Sequence, residues 1–136
     1  MGRTTRSVPR DSARVYVRKS DEFQRSAEQA LERGDWDAAV SHTIHAVICA
    51  ADAFTVFYGG ERSASEAHDD VLRLLAGLRI DRDELHRSLG HLRALLALKS
   101  TAEYEDRLLS ERDARVSLQH ADRFRAWALA KVAARG

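Results

Sequence analysis

Pro9 is the only proline in 136 residues, and Cys49 is the only cysteine. A lone cysteine excludes an internal disulfide and fits a reducing compartment. With proline almost absent and Ala, Leu, Arg and Glu abundant, nothing breaks long helices, and a strand-rich fold is disfavoured. No apolar run approaches the roughly 20 residues that span a bilayer, so no membrane partner is expected. The start, "MGRTTRSVPRDSAR", is basic but has no apolar segment of the kind a secretory signal needs. Arg6 stands where a myristoylation signal requires Ser or Thr. These absences lead us to expect a soluble, cytoplasmic, single-domain protein.

Charge is plentiful, at 32% of residues, but it nearly cancels to +1. It is unevenly placed. Six basic residues face only Asp11 within residues 1–19, and four face only Asp122 within residues 120–136, so the body between is acidic. Basic ends of this kind attract phosphate, although a solvated tail and a helix end favoured by its dipole are the more economical account of them. Residues 1–15 read as a basic flexible tail and residues 16–134 as the folded domain.

Helical spacing recurs five times, separated by recognisable stops. The first helix is expected from about Tyr16 to Arg33, with Phe23, Ala27, Ala30 and Leu31 inward and Gly34 as its stop. Asp35 is the expected N-cap of the second, "WDAAVSHTIHAVICAADAFTVFY". That helix is apolar on most sides, which places it at the centre of a bundle. Gly59–Gly60 ends it. A third helix is expected near Ser65, with Ser63 and Glu66 as a capping box, and carries Val71, Leu72, Leu74, Leu75 and Leu78. Asp81 and Glu84 box the start of the fourth, with Leu85, Leu89, Leu92, Leu95 and Leu96. "KSTAEYED" reads as a polar connection, and Ser110 with Asp113 opens the fifth helix, lined by Ala114, Leu118, Ala121, Phe124, Ala128 and Val132. No strand pattern competes. The fold expected is an all-α, single up-and-down antiparallel bundle of four to five helices.

Three segments resemble one family. "ALERGDWDAAVSHTIHAVICAADAFTVFYGG" is similar to the first hairpin of HEPN domains, with a Gly-Asp-aromatic turn leading into a long Ala-rich helix that ends at Gly. "AHDDVLRLL" resembles the His-Asp-led third helix of that family, and "KSTAEYEDRLLSERDARVSLQHADRF" its closing turn and helix. The resemblance runs in order over residues 20 to 130. It implies a compact and frequently dimeric bundle in an RNA- or nucleotide-related setting, often toxin–antitoxin or defence. Many members have an Arg before the Tyr of the closing turn, whereas here Glu103 precedes Tyr104. Tyr104 is still carried over as a candidate binding residue.

The resemblance also implies a test for catalysis, because active members carry an Arg and, four to six residues later, a His. Metal-free cleavage at a 2′-hydroxyl needs a proton carrier near neutral pKa and a fixed cation beside the phosphorane. Arg62 and His68 have this spacing, and so do Arg115 and His120. The latter two share a helix and are about 140° apart around its axis, so they diverge. Arg62 precedes a helix and is able to turn back toward His68, with Ser63 and Ser65 as hydroxyl donors to a phosphate. Yet Glu61, Glu66, Asp69 and Asp70 crowd the same place, and a plain helix start explains the segment as well.

His42, His45 and Cys49 fall on one helical face, with Asp52 one turn beyond Cys49. His and Cys are zinc ligands, but a buried polar link from His45 to Asp52, or one reaching another helix, is more economical than a metal site, so no metal or cofactor is expected. Cys49 reads as a small core residue, and Trp36 and Trp127 as packing anchors.

The reading favoured is a non-catalytic module that binds a nucleotide, RNA or a protein partner, with a homodimer and a cognate nucleotidyltransferase-like or antitoxin protein as expected partners. The alternative is a metal-independent endoribonuclease using Arg62 and His68. A tetratricopeptide-like adaptor comes third: "AEQALERGDWDAAVSHTIHAV" resembles one such hairpin, but 34 residues beyond Gly34 the chain shows no second copy.

Overall fold

From Gly34 to Gly60 the chain holds no proline and no internal glycine before Gly59, and it folds as one uninterrupted helix around which the others assemble. The computed structural model describes residues 5–63, 69–78 and 80–135. In chain order these form strand β1 (Thr5–Ser7), helix α1 (Ala13–Arg33), helix α2 (Trp36–Gly59), strand β2 (Glu61–Ser63), then helices α3 (Asp69–Ala76), α4 (Arg82–Leu96), α5 (Lys99–Glu103) and α6 (Glu111–Arg135).

The direction of each long helix can be read from its contacts. Ser20 and Gln24 of α1 meet Arg125 and Asp122 of α6, so these two run antiparallel. Asp37 at the start of α2 reaches Leu109 just before α6, and Tyr58 at its end reaches Lys131, so α2 and α6 run parallel. Glu84 pairs with Lys131, and His91 with His120, which sets α4 antiparallel to α6. The result is an up-and-down bundle of α1, α2, α4 and α6, as expected.

Helix α2 is the core element. Val40, Ile44, Val47, Ala50, Ala51 and Phe54 are all fully buried against α1, α4 and α6. By length and composition α2 is apolar enough to cross a bilayer, contrary to the expectation from run length, but its surface is mostly covered by the rest of the bundle. Trp127 stacks on Phe54 with centroids 4.6 Å apart, and Trp36 packs against the same core. Both tryptophans anchor packing.

Helix ends follow local chemistry, with two departures. Gly34 and Gly60 take positive φ values of 79° and 66°, a conformation that favours glycine, and so close α1 and α2. Ser110 and Asp113 form a complete reciprocal box: the Asp113 N–H donates to Ser110 Oγ at 3.1 Å, and the Ser110 N–H donates to Asp113 Oδ2 at 3.0 Å. At α4 only half of the box forms. Asp81 Oδ1 accepts from the Glu84 N–H at 2.9 Å, but the Glu84 carboxylate goes to Lys131. Asp35 makes no side-chain cap, because its carboxylate pairs with Arg33 at 3.1 Å.

Four short elements are not anticipated by the sequence: α5, β1, β2 and a 3-10 turn. The segment expected as a polar connection contains the one-turn helix α5, with Thr101 buried. The expected tail contains β1, a 3-10 turn over Arg10–Ser12 and the start of α1. Strand β1 pairs antiparallel with β2 in the register Thr5↔Ser63, Arg6↔Arg62 and Ser7↔Glu61. A ladder of three residues per strand leaves too short a pattern for periodicity to reveal.

Candidate functional site

Arg62 sits in β2 immediately after the Gly60 turn, so its direction is set by the ladder with β1 rather than by a helix. The guanidinium turns inward. Its Nε lies 3.6 Å from Asp52 Oδ2 on α2, beyond hydrogen-bonding distance, and makes no hydrogen bond among the described residues. The guanidinium carbon is 5.5 Å from the centroid of the Tyr16 ring, and Lys19 Nζ is 5.8 Å from the same ring. Residues directly opposite in a ladder share a face, so Arg6 stands beside Arg62 there. Two cations, Arg62 and Lys19, therefore gather around Tyr16 with the buried Asp52 near both, and Arg6 lies across the ladder from Arg62.

Asp52 is only 4% exposed. Burial pushes its carboxyl up to about 7, against the opposing pull of Arg62 and Lys19. Burial likewise pushes the Cys49 thiol up to about 11, with the nearby Asp52 adding to the effect. A thiol so raised is not a thiolate at neutral pH, so Cys49 behaves as a packing residue rather than a nucleophile.

Of the two links expected here, the one between His45 and Asp52 does not form, and each side chain instead faces a group on another element. Seven residues place both on one side of α2 but leave about 10 Å between them along the axis. His45 is exposed, lies against the Phe23 ring with centroids 5.2 Å apart, and has its Nε2 3.7 Å from Glu103 Oε1. Glu103 in turn takes Lys99 at 3.1 Å and the Ser41 hydroxyl at 3.3 Å. Burial opposes ionisation of Glu103, yet the hydrogen bond and charge of Lys99 hold its carboxyl below the usual range. The position next to Tyr104 is thus an anionic hub rather than a cation. Tyr104 itself is 75% exposed, with Lys99 Nζ 5.2 Å from its ring centroid.

The remaining candidates separate. Ser63 is buried in β2 opposite Thr5. Ser65, Glu66 and His68 lie outside the described residues, and with them the expected capped start of the third helix. Arg115 and His120 do not meet: Arg115 pairs with Glu111 at 2.7 Å, and His120 Nδ1 lies 2.8 Å from His91 Nδ1. Among the described residues no three His, Cys, Asp or Glu side chains come together as a metal-holding group. Tyr16 is the residue the sequence did not single out, and Arg6 and Lys19 entered as candidate charge only as part of the basic N-terminal stretch. The i, i+3 spacing of Tyr16 and Lys19 was the one local signal, since the ladder that delivers Arg6 has none.

The sequence profile of the HEPN domain matches residues 13–132, nearly the whole bundle. The chain belongs to the HEPN domain family. A search of curated proteins finds no matching relative. The match spans Tyr16, Lys19, Asp52 and Arg62 and leaves out Arg6, which β1 adds to the HEPN bundle.

Proposed function

We propose that this HEPN chain is a non-catalytic binding module for RNA or a nucleotide, and that the Tyr16 cluster is where it takes phosphate. The observation that carries this reading is the placement of Arg62 beside the buried Asp52 and over Tyr16. A cation already held this way is poorly placed to follow a developing phosphorane, which calls for a donor aimed at the reacting oxygens. Arg6 and Lys19 are exposed beside it and supply free positive charge for a phosphodiester backbone. The Tyr16 ring holds Arg62 and Lys19 close together, which concentrates positive charge at this face. Membership of the family supports a homodimer acting beside a cognate nucleotidyltransferase-like or antitoxin protein, in a cytoplasmic toxin–antitoxin or defence setting.

The test is fluorescence anisotropy with a labelled single-stranded RNA in chelator, alongside a gel assay of the same mixture. The expected result is salt-dependent binding without cleavage. Arg6→Ala and Lys19→Ala should each weaken it several-fold and lower the salt slope by about one. Metal-free cleavage that disappears in His68→Ala and persists in His120→Ala would make the chain a ribonuclease and overturn the proposal. Binding that is indifferent to both cation variants would remove the Tyr16 cluster as its seat.

A further inference from the structure

A second surface lies where the start of α1 meets the ends of α2 and α6. It is a groove of about 570 Å³, within the range of small-molecule sites. Its aliphatic lining comes from Ala13 and Val17 on α1 and Leu129, Val132 and Ala133 on α6. Phe57 closes the α2 side, and the Arg10 guanidinium covers that ring at 4.1 Å from its centroid. Arg14, one helical turn further on, is exposed at the same mouth, and neither Arg10 nor Arg14 makes an ion pair among the described residues. Asp11 is the one acidic side chain in the lining, so two cations stand against one carboxylate.

We propose that this groove binds an amphipathic organic anion with an aliphatic body, of the acyl carboxylate class, its head on Arg14 and Arg10 and its chain along α6. Three observations select that occupant. The charge at the mouth is complementary to an anion, and guanidinium forks match a carboxylate in geometry. The Phe57 ring is already engaged by Arg10, so an aromatic ligand or a nucleic-acid base finds no free ring to stack on while the aliphatic lining remains available. The groove is lined by nine residues, well short of the roughly 20–30 a side of a stable protein interface. Burial of a methylene chain supplies affinity, and the arginines supply its orientation. This site is separate from the Tyr16 cluster and does not rest on RNA binding.

Isothermal titration of the full chain with decanoate below its micelle threshold tests the proposal. Decyltrimethylammonium serves as the same chain with the opposite charge, and butyrate as the same head on a short chain. Decanoate should bind saturably at one site, butyrate at least about tenfold more weakly, and the cation without saturation. Arg14→Glu should weaken decanoate by about tenfold or more, as should Ala133→Trp, which fills the groove from an exposed position. Both substitutions are at the surface, so unchanged circular dichroism and melting are expected, and either variant alone is decisive if the other misfolds. Equal binding of decanoate and decyltrimethylammonium, or wild-type decanoate affinity in a folded variant, overturns the site. Failure of decanoate to bind while an acidic peptide does so assigns the groove to a protein and also overturns it.

Discussion

Replacing Asp52 with Asn should stabilise the protein, and by more as the pH rises. Asp52 is 4% exposed, and its carboxyl is raised from an ordinary 3.8 to about 7. An acid whose folded pKa is raised binds more protons in the folded chain than in the unfolded one. Its contribution to stability is therefore fully present below the unfolded value and is lost as the pH rises through the folded value. From 3.8 to about 7 the loss amounts to on the order of 4 kcal/mol. Roughly 2–3 kcal/mol of it falls between about pH 5 and about pH 8. Asn keeps the shape and leaves a carbonyl toward Arg62 but carries no charge. The assay is urea unfolding of wild type and Asp52→Asn at these two pH values and equal ionic strength. Groups unaffected by the substitution cancel in the difference between the two proteins. The advantage of the variant should grow by roughly 2–3 kcal/mol from the lower to the higher pH. An advantage that stays constant or shrinks would refute the argument that burial, rather than pairing with Arg62, governs this carboxyl.

Three further outcomes are expected. His91 is held below its ordinary 6.5, first by burial and then by His120 and Arg123. Stability should therefore drop as the pH falls from 6.5 toward the lowered value, and His91→Gln should flatten that acid limb in a pH series of urea curves. The Asp37 carboxylate accepts the Leu109 backbone N–H at 2.7 Å. Asp37→Ala should cost about 1–3 kcal/mol and lower the melting temperature, while Asp37→Asn recovers most of the loss. Leu92 is fully buried, and Leu92→Ala should lower the urea midpoint by the equivalent of about 2–5 kcal/mol with an unchanged slope. RNA binding by that variant should stay intact, since Leu92 is remote in sequence and element from the Tyr16 cluster.

The long helices were legible because each carries its signal locally, whereas the one-turn α5 was not. Apolar spacing marks the buried face, and Gly34, Asp81, Ser110 and Asp113 mark the ends. Where two partners competed for one carboxylate, local reading went astray. Asp35 holds the N-cap position but its carboxylate makes no cap because Arg33 takes it, and Glu84 leaves its box for Lys131 on another helix. The candidate site was less legible still. Arg62 and Asp52 were each singled out, but for separate roles, and their meeting depends on the Gly60 turn and the β1–β2 ladder. His45 and Asp52 shared a helical face, and axial distance kept them apart.

By itself the sequence determined an all-α bundle, its central helix, its HEPN kinship and the residue types available for phosphate chemistry. These properties rest on short-range periodicity, capping and order along the chain. Only the tertiary structure decided which charges meet. It laid the basic N-terminal strand beside Arg62, set Arg62 and Lys19 on the Tyr16 ring, and gave His120 to His91 and His45 to Glu103. Charged side chains carry no periodic address, and their partners are selected by which helices and strands pack together, so that choice is made in three dimensions.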